Sequence, residues 1–374
     1  MSLRQKIEEE IRRHGPIPFS RYMEICLYDF ELGYYAAHAE QFGKAGDFYT
    51  SSDVHAVFGR LLARQFQEMW RVLGSPPSLE VVEPGPGRGL FAQDVLDWSE
   101  KKFPEFFHAL RYLLVEVSPA LRQRLAGTLA RRVESGKAEI YSSIEQLPRQ
   151  FAVPAIVFAN EFFDALPVEV VSHRGELRLG CEQGRFVENF APASAAALEY
   201  LDRYSVHPEA GERVEAALSA QRFMGNIAQR LGRGFAIVID YGYTRDEQLA
   251  GRHRGTVTAF RRHTISAGPY QAPGEQDITA HVNFTALQAA GVEGGMEPLA
   301  LLTQAQFLMG IGEANQFADA FEDTRLPQEQ AKVALQLKHL VTPAGMGESF
   351  HVLVMGRGVD VASARGLSGL KFAR

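Results

Sequence analysis

Cysteine is almost absent: Cys26 and Cys181 are the only two in 374 residues. They stand far apart with no C-x-x-C spacing, which argues against a disulfide framework or a cysteine zinc site; both read as reduced thiols, and no metal site is expected. Long apolar runs are missing too, and no stretch approaches the length of a membrane span. Positive charge is not in excess. Lys and Arg number 39 against 45 Asp and Glu, a net charge of −6, so a nucleic-acid surface is not expected as the main partner. No repeat, low-complexity tract or obvious linker interrupts the chain. The N-terminus, with Glu8, Glu9 and Glu10, lacks the character of a signal or transit peptide, and the cytoplasm is the expected compartment. What the chain does have is apolar content, 46%, ample for one large domain with insertions or for two domains.

One stretch organises the rest. The apolar run Leu79-Glu80-Val81-Val82 ends at Glu83-Pro84-Gly85-Pro86-Gly87-Arg88-Gly89, and Leu90 to Leu96 then carries apolar residues at helical spacing. The pattern is strand, tight turn, helix. Glycines permit positive φ and a close backbone approach, while a helix N-terminus presents unpaired N–H groups. A small polar ligand is therefore expected against Gly85, Gly87 and Gly89, with simple tight packing as the alternative. The third glycine comes one residue too early for the dinucleotide fingerprint, and Glu83 would be a poor neighbour for a pyrophosphate. The turn resembles motif I of class I S-adenosylmethionine-dependent methyltransferases, whose loop wraps the amino-acid end of the cofactor; a carboxylate suits that ammonium-bearing ligand.

Around this turn, Leu3, Ile7 and Ile11 mark an amphipathic helix over 2–14, and Ser20 is placed to cap a second helix running to about Tyr28. The aromatics Tyr28, Phe30, Tyr34 and Tyr35 read as packing rather than chemistry. A glycine-bounded polar loop over 43–53 precedes a long helix, about 54–73. Tyr112 to Val117 reads as a second buried strand with Glu116 at its carboxyl end, where it can accept both hydroxyl hydrogens of a ribose; the alternative is a cap for the next helix, which Ser118-Pro119 already supplies. A short third strand, 138–141, leads to Ser142 and Ser143, expected beside an adenine ring. The fourth, 155–159, ends in Asn160, Glu161 and Asp164, which fall where this topology places a transferred group. Residues 168–190 read as an antiparallel meander and 192–233 as mostly helical, together an insertion before a fifth strand, 235–243, that carries Asp240. A polar loop over 255–284, with Arg261-Arg262-His263 and His281, is long enough to be functional. Phe350 to Met355 supplies a final strand.

Taken together the chain resembles the MidA-like family of class I methyltransferases, which includes a mitochondrial complex I assembly factor. The resemblance spans nearly the whole chain and rests on Gly46-Asp47-Phe48-Tyr49-Thr50, Glu83 to Gly89, Val115 to Pro119, Asn160 to Pro167, Ile239 to Gly242 and Gly274 to Thr279. It implies an α/β fold: a Rossmann-like sheet with an N-terminal helical segment (1–75), a core in two parts (76–168 and 234–374) and an inserted α+β subdomain (169–233). It also implies S-adenosylmethionine as methyl donor and a protein arginine as acceptor, in relatives that of a respiratory complex I subunit. Phe48, Thr50, Glu83, the three glycines, Glu116, Ser142, Ser143 and Asn160 are expected around the cofactor. For the acceptor, Glu161 is the first choice to pair with a guanidinium, supported by Asn160, Asp164 and Asp240; helix capping by Asp164 and packing by Asp240 are the alternatives. A bacterial cytoplasmic enzyme is expected, with two further readings open: a cofactor-binding assembly factor with little catalysis, and a small-molecule methyltransferase on the same fold.

Overall fold

The computed structural model describes residues 1–37, 56–249, 255–261, 264–266, 268–343 and 345–373. Its centre is an eight-stranded sheet in the order Glu297–Thr303, Phe350–Arg357, Gly234–Tyr243, Ala155–Asn160, Leu79–Pro84, Leu110–Val115, Ala138–Tyr141, with Val282–Asn283 added beside Gly234–Tyr243. The five strands from Gly234–Tyr243 to Ala138–Tyr141 run parallel. Phe350–Arg357 is antiparallel to both its neighbours. This is the expected Rossmann-like α/β sheet. The strands read as continuous apolar runs because both faces are covered. Val81, Ile156, Phe158 and Ile237 point to one face, against Phe58, Phe66 and Phe91 of the helices Ala56–Val72 and Leu90–Lys102. Val82, Val157, Ala236 and Val238 point to the other, against Met224, Ile227 and Leu287. The chain order of the strands reverses between Leu79–Pro84 and Ala155–Asn160, and an open α/β sheet forms its ligand crevice at such a reversal.

A second, antiparallel sheet is built from the insertion. Gly175–Glu182 is flanked by Arg185–Ala191 and Glu169–Ser172, and Arg213–Ala216 pairs with the latter. That last strand lies inside the stretch expected to be mostly helical, between the helices Ala195–Tyr204 and Leu218–Arg230. The N-terminal helices dock here. Ile17–Pro18 adds an edge strand, and Ile7, Tyr22 and Met23 share a core with Leu177, Leu179 and Ile278.

Two segments pack differently from their place in the sequence. The helix Ala56–Val72, expected with the N-terminal segment, buries its apolar face on the main sheet. Leu218–Arg230, expected within the insertion, covers the opposite face of that sheet. Ser20 does not cap its helix, which runs Phe19–Tyr28 from Pro18; its hydroxyl donates to Glu169 at 2.5 Å. Glu297–Thr303 had no counterpart in the sequence reading. It is an edge strand with only Leu299 and Leu302 buried, and a bulge interrupts its register. No helix among the described residues is long and apolar enough to cross a membrane.

Candidate active site

The glycine turn follows Leu79–Pro84 and opens the helix Leu90–Lys102. Its three glycines all have positive φ, for different reasons. A Cβ at Gly89, the left-handed N-cap, would collide with Leu125, so this glycine serves helix packing. A Cβ at Gly85 would come within 2.7 Å of the Phe162 ring. A Cβ at Gly87 would meet nothing within 4 Å among the described residues and lies in the wall of a cavity, so of the three that position leaves room for a ligand against bare backbone.

Two carboxylates flank the turn. Glu83 shares its side of the sheet with Val81 and Tyr112, whose hydroxyl donates to it at 2.8 Å; burial nevertheless pushes Glu83 from 4.5 up to about 8. Glu116 follows Leu110–Val115 and accepts from the Ser118 amide at 2.8 Å, and burial pushes it up to about 7 against that bond and a second from the Gly87 amide. Ser118 caps the next helix through its own hydroxyl. Glu116 is thus partly engaged locally, yet it also lines the cavity.

The loop after Ala155–Asn160 carries the other polar cluster. Glu161 has φ +49°, a left-handed conformation that costs a side-chain-bearing residue about 1–2 kcal/mol. Its amide donates to Ile239 O at 2.9 Å, and Asn160 Nδ2 donates to Glu161 Oε1 at 3.2 Å. Asp240 holds the loop in place. Fully buried, it accepts the amides of Phe162, Phe163 and Asp164 on one oxygen, at 3.0–3.3 Å, and that of Tyr241 on the other. Such a convergence of amides is an anion nest. Asp240 is not among the residues that line the cavity, so it anchors the loop rather than supporting an acceptor directly. Asp164 caps no helix: it accepts from Tyr241 Oη at 2.7 Å and lines the cavity. Burial holds both aspartates above the ordinary range, and the charges of Asp164 and Glu161 add to the effect on Asp240.

The cavity encloses about 330 Å³ and gathers most of the expected residues: Glu83, Gly85, Gly87, Glu116, Ser143, Asn160, Glu161 and Asp164. Gly89, Ser142 and Asp240 are outside its lining, and Phe48 and Thr50, with the rest of the 43–53 loop, lie outside the described residues. Sequence reasoning missed Tyr28 and Tyr35, set aside as packing, and Asp277, which stood in a quoted motif without a role. It also missed Phe223, whose ring sits 4.7 Å from Phe162 and whose helix gave no signal of reaching the site. Six carboxylates line the cavity, from Glu83, Glu116, Glu145, Glu161, Asp164 and Asp277, against one guanidinium, Arg88, among the described residues. Such a lining suits a cationic ligand.

Residues 61–301 match the family described as "Putative S-adenosyl-L-methionine-dependent methyltransferase". The chain belongs to this family. It is 31% identical to the Drosophila melanogaster protein arginine methyltransferase NDUFAF7 homolog, mitochondrial, over 96% of this chain and 86% of that protein. Identity to the Danio rerio protein arginine methyltransferase NDUFAF7 is 30%, over 93% and 85%. A crystal structure from Burkholderia thailandensis, bound to S-adenosyl-homocysteine, superposes with a TM-score of 0.84 at 30% identity, covering 99% of this chain and 95% of that one. The protein is an S-adenosylmethionine-dependent methyltransferase of the MidA-like family.

The lining fits that cofactor. Gly87 leaves space against the turn, Glu83 offers a carboxylate to an ammonium, Glu116 offers one to a ribose diol, and Val117, Leu121 and Ile144 provide apolar walls for a purine. The raised acids make binding pH-dependent. Ligand-free Glu83 and Glu116 hold protons up to about 8 and 7, whereas the unfolded chain releases them near 4.5. Their contribution to stability is therefore full below about pH 4.5 and lost as pH rises through 7 to 8. A bound ammonium and diol favour the charged forms, so ligand binding below pH 7 expels protons. Calorimetry with S-adenosylhomocysteine is expected to show affinity rising from pH 6 to 8 and, at pH 6, release of about one proton or more, read from the dependence of the enthalpy on buffer. An enthalpy independent of buffer at pH 6 contradicts the assignment of these two acids.

Proposed function

We propose that the enzyme methylates the guanidinium group of an arginine in a protein. The observation that carries this reading is Glu161, a carboxylate held at a strand end in a strained backbone conformation, in a cavity whose charged lining among the described residues is six acids against one guanidinium. The relatives' names as protein arginine methyltransferases support it. Arginine stays protonated at any ordinary pH and presents a planar fork of donors, so a site must compensate its charge and hold one nitrogen in line. When bound, S-adenosylmethionine supplies a sulfonium methyl as electrophile. Glu161 then pairs with the guanidinium, Asn160 steadies Glu161 through its amide, and the Asp240 nest keeps the loop from relaxing. The aromatic rings of Phe162 and Phe223 form an apolar wall of the site. Catalysis of this kind is positioning and charge compensation, and no serine or cysteine nucleophile is required.

The test is to incubate the enzyme with isotopically labelled S-adenosylmethionine and a bacterial lysate, with a respiratory complex I subunit as the first purified acceptor tried, and to map the label by mass spectrometry. Label in methylarginine is the expected result. Label confined to lysine, to a terminus or to a small molecule overturns the reading.

A further inference from the structure

We propose that Asp164 is the proton acceptor in the transfer step, its Oδ1 taking a proton from the acceptor guanidinium while Tyr241 holds its other oxygen. The inference rests on the arginine reading above.

A guanidinium paired with Glu161 is not yet a nucleophile. Its nitrogens share one delocalised cation, and none has a free electron pair to offer a methyl group while all their protons remain. One proton has to leave. In the step proposed, a terminal guanidinium nitrogen gives a proton to Asp164 Oδ1; the electron pair so freed forms the N–C bond to the sulfonium methyl as the S–C bond breaks, whose pair stays on sulfur. The acceptor ends as a methylguanidinium with its single positive charge, the thioether is neutral, and Asp164 has become the neutral acid. The proton passes to water after the product leaves.

The surroundings of Asp164 suit it to this task. Its amide donates to Asp240 Oδ2 at 3.3 Å, its carbonyl accepts from Ala280 N at 2.9 Å, and its Oδ2 accepts from Tyr241 Oη at 2.7 Å. The next carbonyl, Ala165 O, accepts from Tyr28 Oη at 3.0 Å. The residue is therefore pinned by the strand Gly234–Tyr243, by the chain just past the strand Asp277–Thr279 and by the helix Phe19–Tyr28. Oδ1 is left over: it is buried and accepts no hydrogen bond from the described residues. Asp164 as a whole is 4% exposed and lines the cavity. A buried carboxylate oxygen without a donor is destabilising, and an N–H brought by a ligand removes that cost.

Among the acids of the lining, Glu83 and Glu116 flank the glycine turn, whereas Asp164 stands on the same loop as Glu161, three residues further on. Burial pushes Asp164 up to about 6, against the Tyr241 bond and the amides of Ala165 and of Asp164 itself, so at neutral pH it is charged and a stronger base than an exposed aspartate. The titratable groups around it are Asp240 beneath the loop, Glu161 on it, Tyr241 with the His281 ring 5.1 Å away, Tyr28 and Tyr35 from the N-terminal helices, and Asp277 in the cavity wall. Apart from His281 these are acids and phenols, a set that favours an incoming cation.

The experiment compares the parent with Asp164→Asn and Tyr241→Phe as full chains, at saturating S-adenosylmethionine and peptide. Single-turnover methylation is measured on a short glycine–arginine–glycine peptide and on the same peptide with canavanine in place of arginine, whose oxyguanidinium gives up its proton near neutral pH. Asp164→Asn is expected to slow transfer to arginine about 100-fold or more, the usual worth of a general base, with peptide KM and S-adenosylhomocysteine affinity within about threefold of the parent. On canavanine the loss should shrink to about tenfold or less, because that acceptor needs no strong base. The parent rate on arginine should fall as pH drops through about 6, and Tyr241→Phe, which removes a donor to the charged carboxylate, should move that fall to higher pH. If Asp164→Asn transfers at the parental rate, loses equally on both peptides, or changes only KM, the inference is overturned while the arginine reading stands. Should Asp164→Asn fail to fold, Tyr241→Phe decides, and an unmoved acid limb overturns the inference. If the parent methylates no arginine peptide and no arginine in lysate, the arginine reading fails and this inference falls with it.

Discussion

Gly87→Val is expected to abolish measurable S-adenosylhomocysteine binding, a loss of about 100-fold or more, equivalent to roughly 2.7 kcal/mol, while the protein still folds. The backbone at Gly87 has φ +53°, so a β-branched residue there adds about 1–2 kcal/mol of strain. That lowers the thermal midpoint by roughly 2–8 °C, at about 2–4 °C per kcal/mol for a large domain. Among the described residues, its chain neighbours aside, no atom lies within 4 Å of the new Cβ. What the side chain fills is the cavity. Gly89→Val provides the contrast: its backbone strain is similar, but its Cβ collides with the buried Leu125 side chain, so that side chain or the turn itself must move. That variant should lose most of its stability along with its ligand. Calorimetry and thermal unfolding on the two variants separate the roles, and a Gly87→Val protein that binds S-adenosylhomocysteine like the parent places the cofactor somewhere other than against this turn.

Glu161→Gln should lower the rate of methyl transfer by about 10²-fold or more, with affinity for S-adenosylhomocysteine within about threefold of the parent. The substitution keeps shape and chain length, and glutamine tolerates φ +49° no worse than glutamate, so the backbone has no new reason to move. The charge is what disappears. A guanidinium entering the cavity then lacks the carboxylate proposed as its counter-ion, and the loss falls on the step in which its nitrogen must be held in line. Single-turnover methylation of an arginine peptide measures this. If Glu161→Gln transfers methyl groups as fast as the parent, Glu161 is a strand-end residue without a part in the reaction, and Asp164 becomes the acid to test next.

The elements that were legible in the sequence are those whose signal is local. Leu79–Pro84, Ala155–Asn160 and Gly234–Tyr243 announced themselves because a strand covered on both faces is mostly apolar, Glu80 being the exception within the first, and each run ends at a polar or acidic residue close to a glycine or proline. Glu297–Thr303 did not, because its short run Leu299-Ala300-Leu301-Leu302 leads straight into the helix Gln304–Glu313, and periodicity alone cannot tell such a run from a piece of helix. The helices Ala56–Val72 and Leu218–Arg230 were recognised as helices but assigned to the wrong neighbours. An apolar stripe states that a helix packs on something, never on what.

The same division runs through the site. Residue type and order pointed to a small polar ligand, and the resemblance they carry to class I methyltransferases gave the cofactor class: an acid, then glycines with positive φ, then a second acid at the next strand end, Glu116. The tertiary structure alone decided which acids line the cavity. Asp240 and Glu161 both stand at strand ends in the sequence, but Gly234–Tyr243 runs past the end of its neighbour, whose last residue, Asn160, lies opposite Ile239. Asp240 consequently falls beneath the loop and binds its amides, while Glu161 is turned into the cavity. Tyr28, Tyr35 and Asp277 reach that cavity from segments about 240 residues apart, brought together by the burial of Ile7, Tyr22 and Ile278 in one core. Strand register and helix docking are set by contacts between distant residues, and for that reason no local pattern in the chain could have displayed them.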